Sequence, residues 1–226
     1  MHKLFLDIET LPAGEESHAK LEILFEKKRK EDDLLEDFLL RTSFDGAFGR
    51  IFCIGYAVDD GPLEAFAGDE KKILEDFWEL VSKLDRDVPP PSGNYGYRPG
   101  YGKQNNVLFV GHNVMDFDMR FIYQRSIVLG VKPSLEVSFA RYRSDQIYDT
   151  MREWSKWSSS SVGLETLALA LDIPSPKEGI DGSQVFDFYK QGRGAEIIEY
   201  CKRDVETTRA LYRRMVFAKA PKSTLF

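Results

Sequence analysis

The chain opens Met1-His2-Lys3-Leu4-Phe5-Leu6-Asp7-Ile8-Glu9-Thr10-Leu11. Residues 3–10 read as a buried strand, because Leu4, Phe5, Leu6 and Ile8 call for a dry environment. Asp7 and Glu9 do not. In a strand, residues i and i+2 share a face about 6–7 Å apart, so both carboxylates point one way while Ile8 points into the opposite layer. Two anions on one face repel, which raises one pKa or recruits a cation. Hard oxygen donors of this kind suit Mg²⁺ or Mn²⁺.

Two further stretches carry the same chemistry. In VLFVGHNVMDFDMRFI (107–122) a strand ends at Gly111, Asn113 sits in the turn, and Asp118 starts a helix with Phe117, Phe121 and Ile122 on its apolar side. Asp116 competes with Asp118, but residues two apart on a helix face different ways, so only one can join Asp7 and Glu9. In EYCKRDVETTRALYRRM (199–215), Tyr200 and Asp204 are four residues apart and share one helical face. Ile197, Ile198, Cys201, Val205, Leu211 and Tyr212 mark the buried side of that helix.

The order is a strand with D-x-E, then N-x-x-x-F-D after a strand, then Y-x-x-x-D in a C-terminal helix. It resembles the DEDD superfamily of 3′→5′ exonucleases, which have a ribonuclease H-like fold. The Tyr200-x-x-x-Asp204 form is similar to the tyrosine subtype, which includes the proofreading domains of family-B DNA polymerases. The histidine subtype needs a histidine just before the last aspartate. Here the only histidines are His2, His18 and His112. The resemblance spans residues 4 to 212 and rests on Asp7, Glu9, Asp118, Tyr200 and Asp204.

It implies a metal-dependent 3′→5′ exonuclease that releases nucleoside 5′-monophosphates from the 3′ end of single-stranded DNA. Two Mg²⁺ or Mn²⁺ ions about 3.5–4 Å apart would clamp the scissile phosphate. Asp7 would bridge both. Glu9 and Asp204 would complete the ion that carries the attacking water, and Asp118 would support the other. Tyr200 would orient the water, since a phenol with a pKa near 10 is a poor base at neutral pH. Thr10 and Leu11 follow the acids where family members present backbone and an apolar wedge to the terminal nucleotide. Asn113 would hydrogen-bond that nucleotide, orient Asp118, or simply close the turn. His112 reads as a packed turn histidine.

Outward from these motifs, the rest of the chain predicts an α/β fold with a mixed central sheet flanked by helices. RIFCIGYAV (50–58) and PLEAFAG (62–68) around Asp59-Asp60-Gly61 read as a hairpin, and EKKILEDFWELVSKL (70–84) as an amphipathic helix. A helix over 117–130 ends at Gly130. QIYDTMREW (146–154) carries a short strand into a helix or turn, Leu164 to Leu171 mark another helix, and a long helix spans 195–215. Residues 13–45 are dense in charge with apolar residues near helical spacing, which predicts a helical insertion. Residues 87–106, rich in proline and glycine, read as a long surface loop. Its Tyr95, Tyr97 and Tyr101 with Arg98 and Lys103 could stack on bases and hold phosphates. With no internal repeat and no second core, residues 1–226 read as a single exonuclease domain.

Composition narrows the alternatives. The 31 basic and 37 acidic residues leave a net charge of −6, so bulk electrostatics would not hold nucleic acid; a local grip on a few nucleotides is required. There is no apolar run of membrane-spanning length and no signal-peptide pattern at the start. Cys53 and Cys201 form neither a C-x-x-C pair nor a zinc pattern, and read as free thiols in a reducing cytoplasm. The length leaves no room for a polymerase as well, which predicts action alone or in trans with other DNA-processing proteins. An exoribonuclease of the same superfamily, and an inactive nucleic-acid-binding or scaffold domain, are the alternatives. The haloacid-dehalogenase phosphatases also begin with an apolar strand and acids. Against that, Glu9 is a methylene longer than their second aspartate, and GDEKKILED (68–76) puts Ile73 where an acid is needed.

Overall fold

A computed structural model describes residues 1–86, 106–174 and 180–218. Strands β1 (His2–Leu11), β2 (Arg50–Val58), β3 (Glu64–Ala67), β4 (Val107–Gly111) and β5 (Ile147–Asp149) form one sheet in the order β3-β2-β1-β4-β5. β1 pairs antiparallel with β2, and β2 with β3; β1 pairs parallel with β4, and β4 with β5. The expected mixed sheet is therefore present, with β1 at its centre.

The period-2 pattern of β1 decides the two layers. Leu4, Leu6 and Ile8 pack with Ile73, Leu74, Phe77, Trp78 and Val81 of α3 (Glu70–Arg86) and with Met119, Phe121 and Ile122 of α4 (Asp118–Leu129). Phe5 points the other way, into Ala57, Leu108, Val110, Val205 and Tyr212, the last two from α8 (Gly194–Met215). β4 is buried along its whole length, as a parallel strand covered on both faces must be. Gly130 ends α4 in the left-handed conformation (φ 68°), which a glycine adopts without a Cβ penalty.

β2 and α8 approach closely at Gly55. A Cβ there would stand 2.8 Å from Cys201 Sγ and 3.3 Å from the Cys201 backbone, so only glycine lets α8 lie this near β2. On the other face, Arg125 makes a two-pronged ion pair with Glu70 (2.8 Å each), and Glu70 also accepts from the Ile51 amide at 2.7 Å. This network ties α3, α4 and β2 together.

The charged segment folds as α1 (His18–Lys28), α2 (Leu35–Arg41) and a 3-10 turn, Thr42–Phe44. The sequence reading places no element between 172 and 194. The structure has a 3-10 turn, Gly182–Gln184, leading into α7 (Val185–Lys190). Six residues are too few to show a helical period, and a capping box between Asp181 and Gln184 starts the turn. Helices α5 (Thr150–Ser155) and α6 (Leu164–Ala170) and a 3-10 turn before α1, Glu15–Ser17, complete the described elements. The predicted loop lies outside the described residues except for Asn106, whose amide and side chain bond to Asp85 (2.9 and 2.8 Å). Among the described residues no helix is long and apolar enough to cross a membrane.

Candidate active site

Asp7 and Glu9 leave β1 on the face covered by α8. Tyr200 and Asp204, one helical turn apart, face them from α8, and Asp118 enters from the start of α4. All five line one cleft of about 570 Å³. The structure thus brings together the five residues on which the motif reading rests.

Asp118 is held in place by its Oδ1, which accepts the Ile8 amide at 3.0 Å. Asp116 turns away and pairs with Arg152, whose Nε lies 3.1 Å from it. The turn between β4 and α4 is organised by Asp149, a residue the motif reading missed. Its buried carboxylate accepts from the amides of Asn113 (3.1 Å), Met115 (3.0 Å), Met151 (3.0 Å) and Arg152 (3.2 Å). It therefore caps α5 and shapes the turn that delivers Asp118. No local pattern marks this role, because its partners at 113 and 115 are more than thirty residues away.

Cys201 is the second residue missed. Its sulfur lies 3.3 Å from the Asp7 carbonyl and 3.4 Å from the Asp7 carboxylate, and accepts from the Gly55 amide at 3.3 Å. One ligand atom each from Asp7, Glu9 and Cys201 lies within 4.8 Å of the others. The signal was present in sequence: position 201 is three residues before Asp204 and so shares its face.

The expected substrate contacts fare differently. Thr10 lines the cleft, with its hydroxyl donated to the Ser43 carbonyl at 2.7 Å. Leu11 does not line it. The ladder slips between Glu9 and Thr10, and Leu11 is buried against Ile180, Val185, Phe188, Ile197 and Tyr200. It packs around Tyr200 instead of forming a wedge into the cleft. Asn113 sits in a left-handed turn (φ 60°) and is not among the cleft-lining residues; its amide is taken by Asp149. His112 lines the cleft and is held between Thr150 Oγ1 (2.9 Å) and the Val162 carbonyl (2.8 Å). α2 and the turn after it supply Leu40, Arg41, Ser43 and Phe44 to one wall, and the stretch 182–186 supplies Gly182, Ser183, Val185 and Phe186.

The carboxylates are strained by one another. Burial, then the charges of Asp118, Asp204 and Glu9, push Asp7 well above the usual range. Burial, then Cys53, Asp204 and Asp118, does the same to Glu9. Burial pushes Asp118 up to about 7, against the amides that hold its charged form. Burial, followed by Asp204, Glu9 and Asp7, drives the Tyr200 phenol far above its usual value, and its hydroxyl bonds to Asp204. Tyr200 is thus a neutral hydrogen-bonding group here. Clustered acids that resist ionisation fit a divalent cation, whose charge would reverse each of these shifts.

The mixed sheet, with carboxylates gathered at its central strand, is a ribonuclease H-like α/β fold. The family model for predicted 3′-5′ exonucleases related to the exonuclease domain of PolB matches residues 100–223, and the chain belongs to that family. The match includes Asp118, Tyr200 and Asp204; Asp7 and Glu9 precede it. The fold is similar to that of the family B DNA polymerase from the hyperthermophilic archaeon Pyrobaculum calidifontis, with a TM-score of 0.62 and 16% identity. That likeness covers 96% of this chain and 24% of the polymerase, so the chain spans about a quarter of its length. No match is found among curated proteins.

Proposed function

We propose that the protein is a metal-dependent 3′→5′ exonuclease of the tyrosine subtype, acting on single-stranded DNA and releasing nucleoside 5′-monophosphates, with the whole chain as one domain. The observation that carries this reading is the convergence of Asp7, Glu9, Asp118 and Asp204 with a neutral tyrosine on one cleft.

Asp7, Glu9, Asp118 and Asp204 would hold the cations, and their oxygen donors suit Mg²⁺ or Mn²⁺. Bound there, such ions supply Lewis-acid activation of water and neutralise charge at the scissile phosphate. The chain's own residues do the rest. Asp7 feels the charges of Asp118, Asp204 and Glu9 together, so it would be the ligand shared among the cations. Asp118 is fixed by the Ile8 amide where it lines the cleft. Tyr200 keeps its proton at working pH and so orients a water by hydrogen bonding without abstracting from it.

A 5′-labelled single-stranded oligonucleotide should give a descending ladder with Mg²⁺ or Mn²⁺ and none in EDTA. Asp7→Asn should lower turnover by at least about 10³-fold, the scale of losing a major electrostatic contribution. Tyr200→Phe should lower it about 10- to 10³-fold with an unchanged melting curve. Full activity in EDTA, or cutting of closed circular single strands at a similar rate, would end this reading. A matched RNA oligonucleotide degraded faster than DNA would move the substrate to RNA.

A further inference from the structure

The wall formed by α2 and its following turn is built as if to receive something flat. Phe44 is 74% exposed, although its ring lies 6.2 Å from that of Phe117. It stands on a ridge between the carboxylate cleft and a second depression of about 170 Å³ that reaches Arg120 and Gln124. Leu40, 39% exposed, lies beside it along the same wall.

This wall is not a loose loop. The Thr10 hydroxyl holds the Ser43 carbonyl (2.7 Å), and Thr42 Oγ1 accepts the Ala13 amide (2.8 Å). Both bonds tie the turn to β1 and the segment just beyond it, close to Glu9. Apolar rings left this open to water on a fixed backbone gain by being covered. Arg41, on the same wall, is exposed and has no ion-pair partner among the described residues. A cation left unpaired at the mouth of a carboxylate cleft complements a polyanion that must enter it.

We propose that Phe44 stacks on a base at the 3′ end of the bound single strand while Arg41 meets a phosphate of the same short segment. This rests on the exonuclease reading and deepens it. It makes the helical insertion the element that confers single-strand preference, since a duplex base is already stacked and a ring accepts any base's π face. Recognition through Phe44 is then tolerant of sequence.

The test is fluorescence anisotropy with a short 5′-fluorescein oligothymidylate, the full-length chain, and Ca²⁺ in place of Mg²⁺. Phe44→Ala should weaken binding by about 5- to 150-fold, the range for losing one base–aromatic stack, and Phe44→Trp should restore it. With an abasic site at whichever of the two 3′-terminal positions carries the stacked base, the Phe44→Ala penalty should vanish. Arg41→Ala should reduce the slope of log K against log salt by about 0.7, one phosphate's share on a single strand, and Arg41→Lys should keep it. Phe44→Ala that binds like the wild type, or that weakens intact and both abasic strands equally with an unchanged melting curve, would overturn the stacking. Wild type that neither binds nor degrades single strands would overturn the exonuclease reading, and this inference with it. Wild type that degrades them while Phe44→Ala binds normally would sink this inference alone.

Discussion

Removing the Asp118 charge should stabilise the metal-free protein, and by an amount that grows with pH. Asp118 has its ordinary carboxyl pKa of 3.8 in the unfolded chain and about 7 when folded. Between those values the native state keeps a proton that the unfolded state has released, so the free energy of unfolding falls as pH rises. Below the window both states are protonated, and above it both are ionised. At about 1.36 kcal/mol per pH unit, the gap amounts to about 4 kcal/mol, of which about 3 kcal/mol falls above about pH 5. Asp118→Asn removes this dependence while its amide oxygen can still accept the Ile8 amide. Losing the charge also relieves Asp7, which adds with the same sign. His112, whose pKa burial lowers, acts in the opposite direction but is present in both proteins and cancels in their difference. Urea denaturation of both proteins in EDTA, from about pH 5 to about pH 8, gives that difference directly. The variant should gain on the wild type by about 3 kcal/mol across the range. Parallel stability–pH curves would refute the claim that burial and neighbouring charges strain this carboxyl.

Adding Mg²⁺ or Mn²⁺ near pH 8 should raise the wild-type melting temperature through binding linkage, with a smaller rise near pH 5, where a proton competes with the ion for Asp118; an equal rise at both would place the ion elsewhere. Gly55→Ala forces a Cβ against Cys201, so it should cost about 1–3 kcal/mol and lower turnover by displacing Asp7, with Gly55→Ala/Cys201→Ala recovering part of both. If the double variant is as impaired as the single one, that contact is not the cause. Asp149→Ala leaves four amides without their acceptor and should cost at least about 2 kcal/mol by urea denaturation, with activity falling as Asp118 loses its turn. A loss under about 0.5 kcal/mol, within the range of ordinary surface substitutions, would show the turn to be held by other means.

Much of this molecule is written locally. The alternation in β1 sends Leu4, Leu6 and Ile8 to one layer and Phe5, Asp7 and Glu9 to the other, because side chains in a strand alternate by covalent geometry. The four-residue step from Tyr200 to Asp204 puts both on one helical face for the same kind of reason. Periodicity marked these faces, a mixed sheet, and helices over 70–84, 117–130 and 195–215, while the resemblance to a known family is what joined Asp7, Glu9, Asp118, Tyr200 and Asp204, which line one cleft.

What needed the tertiary structure depends on contacts between distant segments. Leu11 shares the face of Asp7 and Glu9 by simple alternation, yet Ile180, Val185, Phe188 and Ile197 close over it behind Tyr200, and no property of Leu11 itself announces those partners. Cys201 meets Asp7 across 194 positions because Gly55 lets α8 come close. Asp149 gathers amides from two separate turns. The charged segment reads as a helical insertion beside the core, yet two hydrogen bonds near Glu9 make its end a wall of the cleft. Short-range periodicity reports which face a residue occupies; which partner covers that face is settled only when the chain closes on itself.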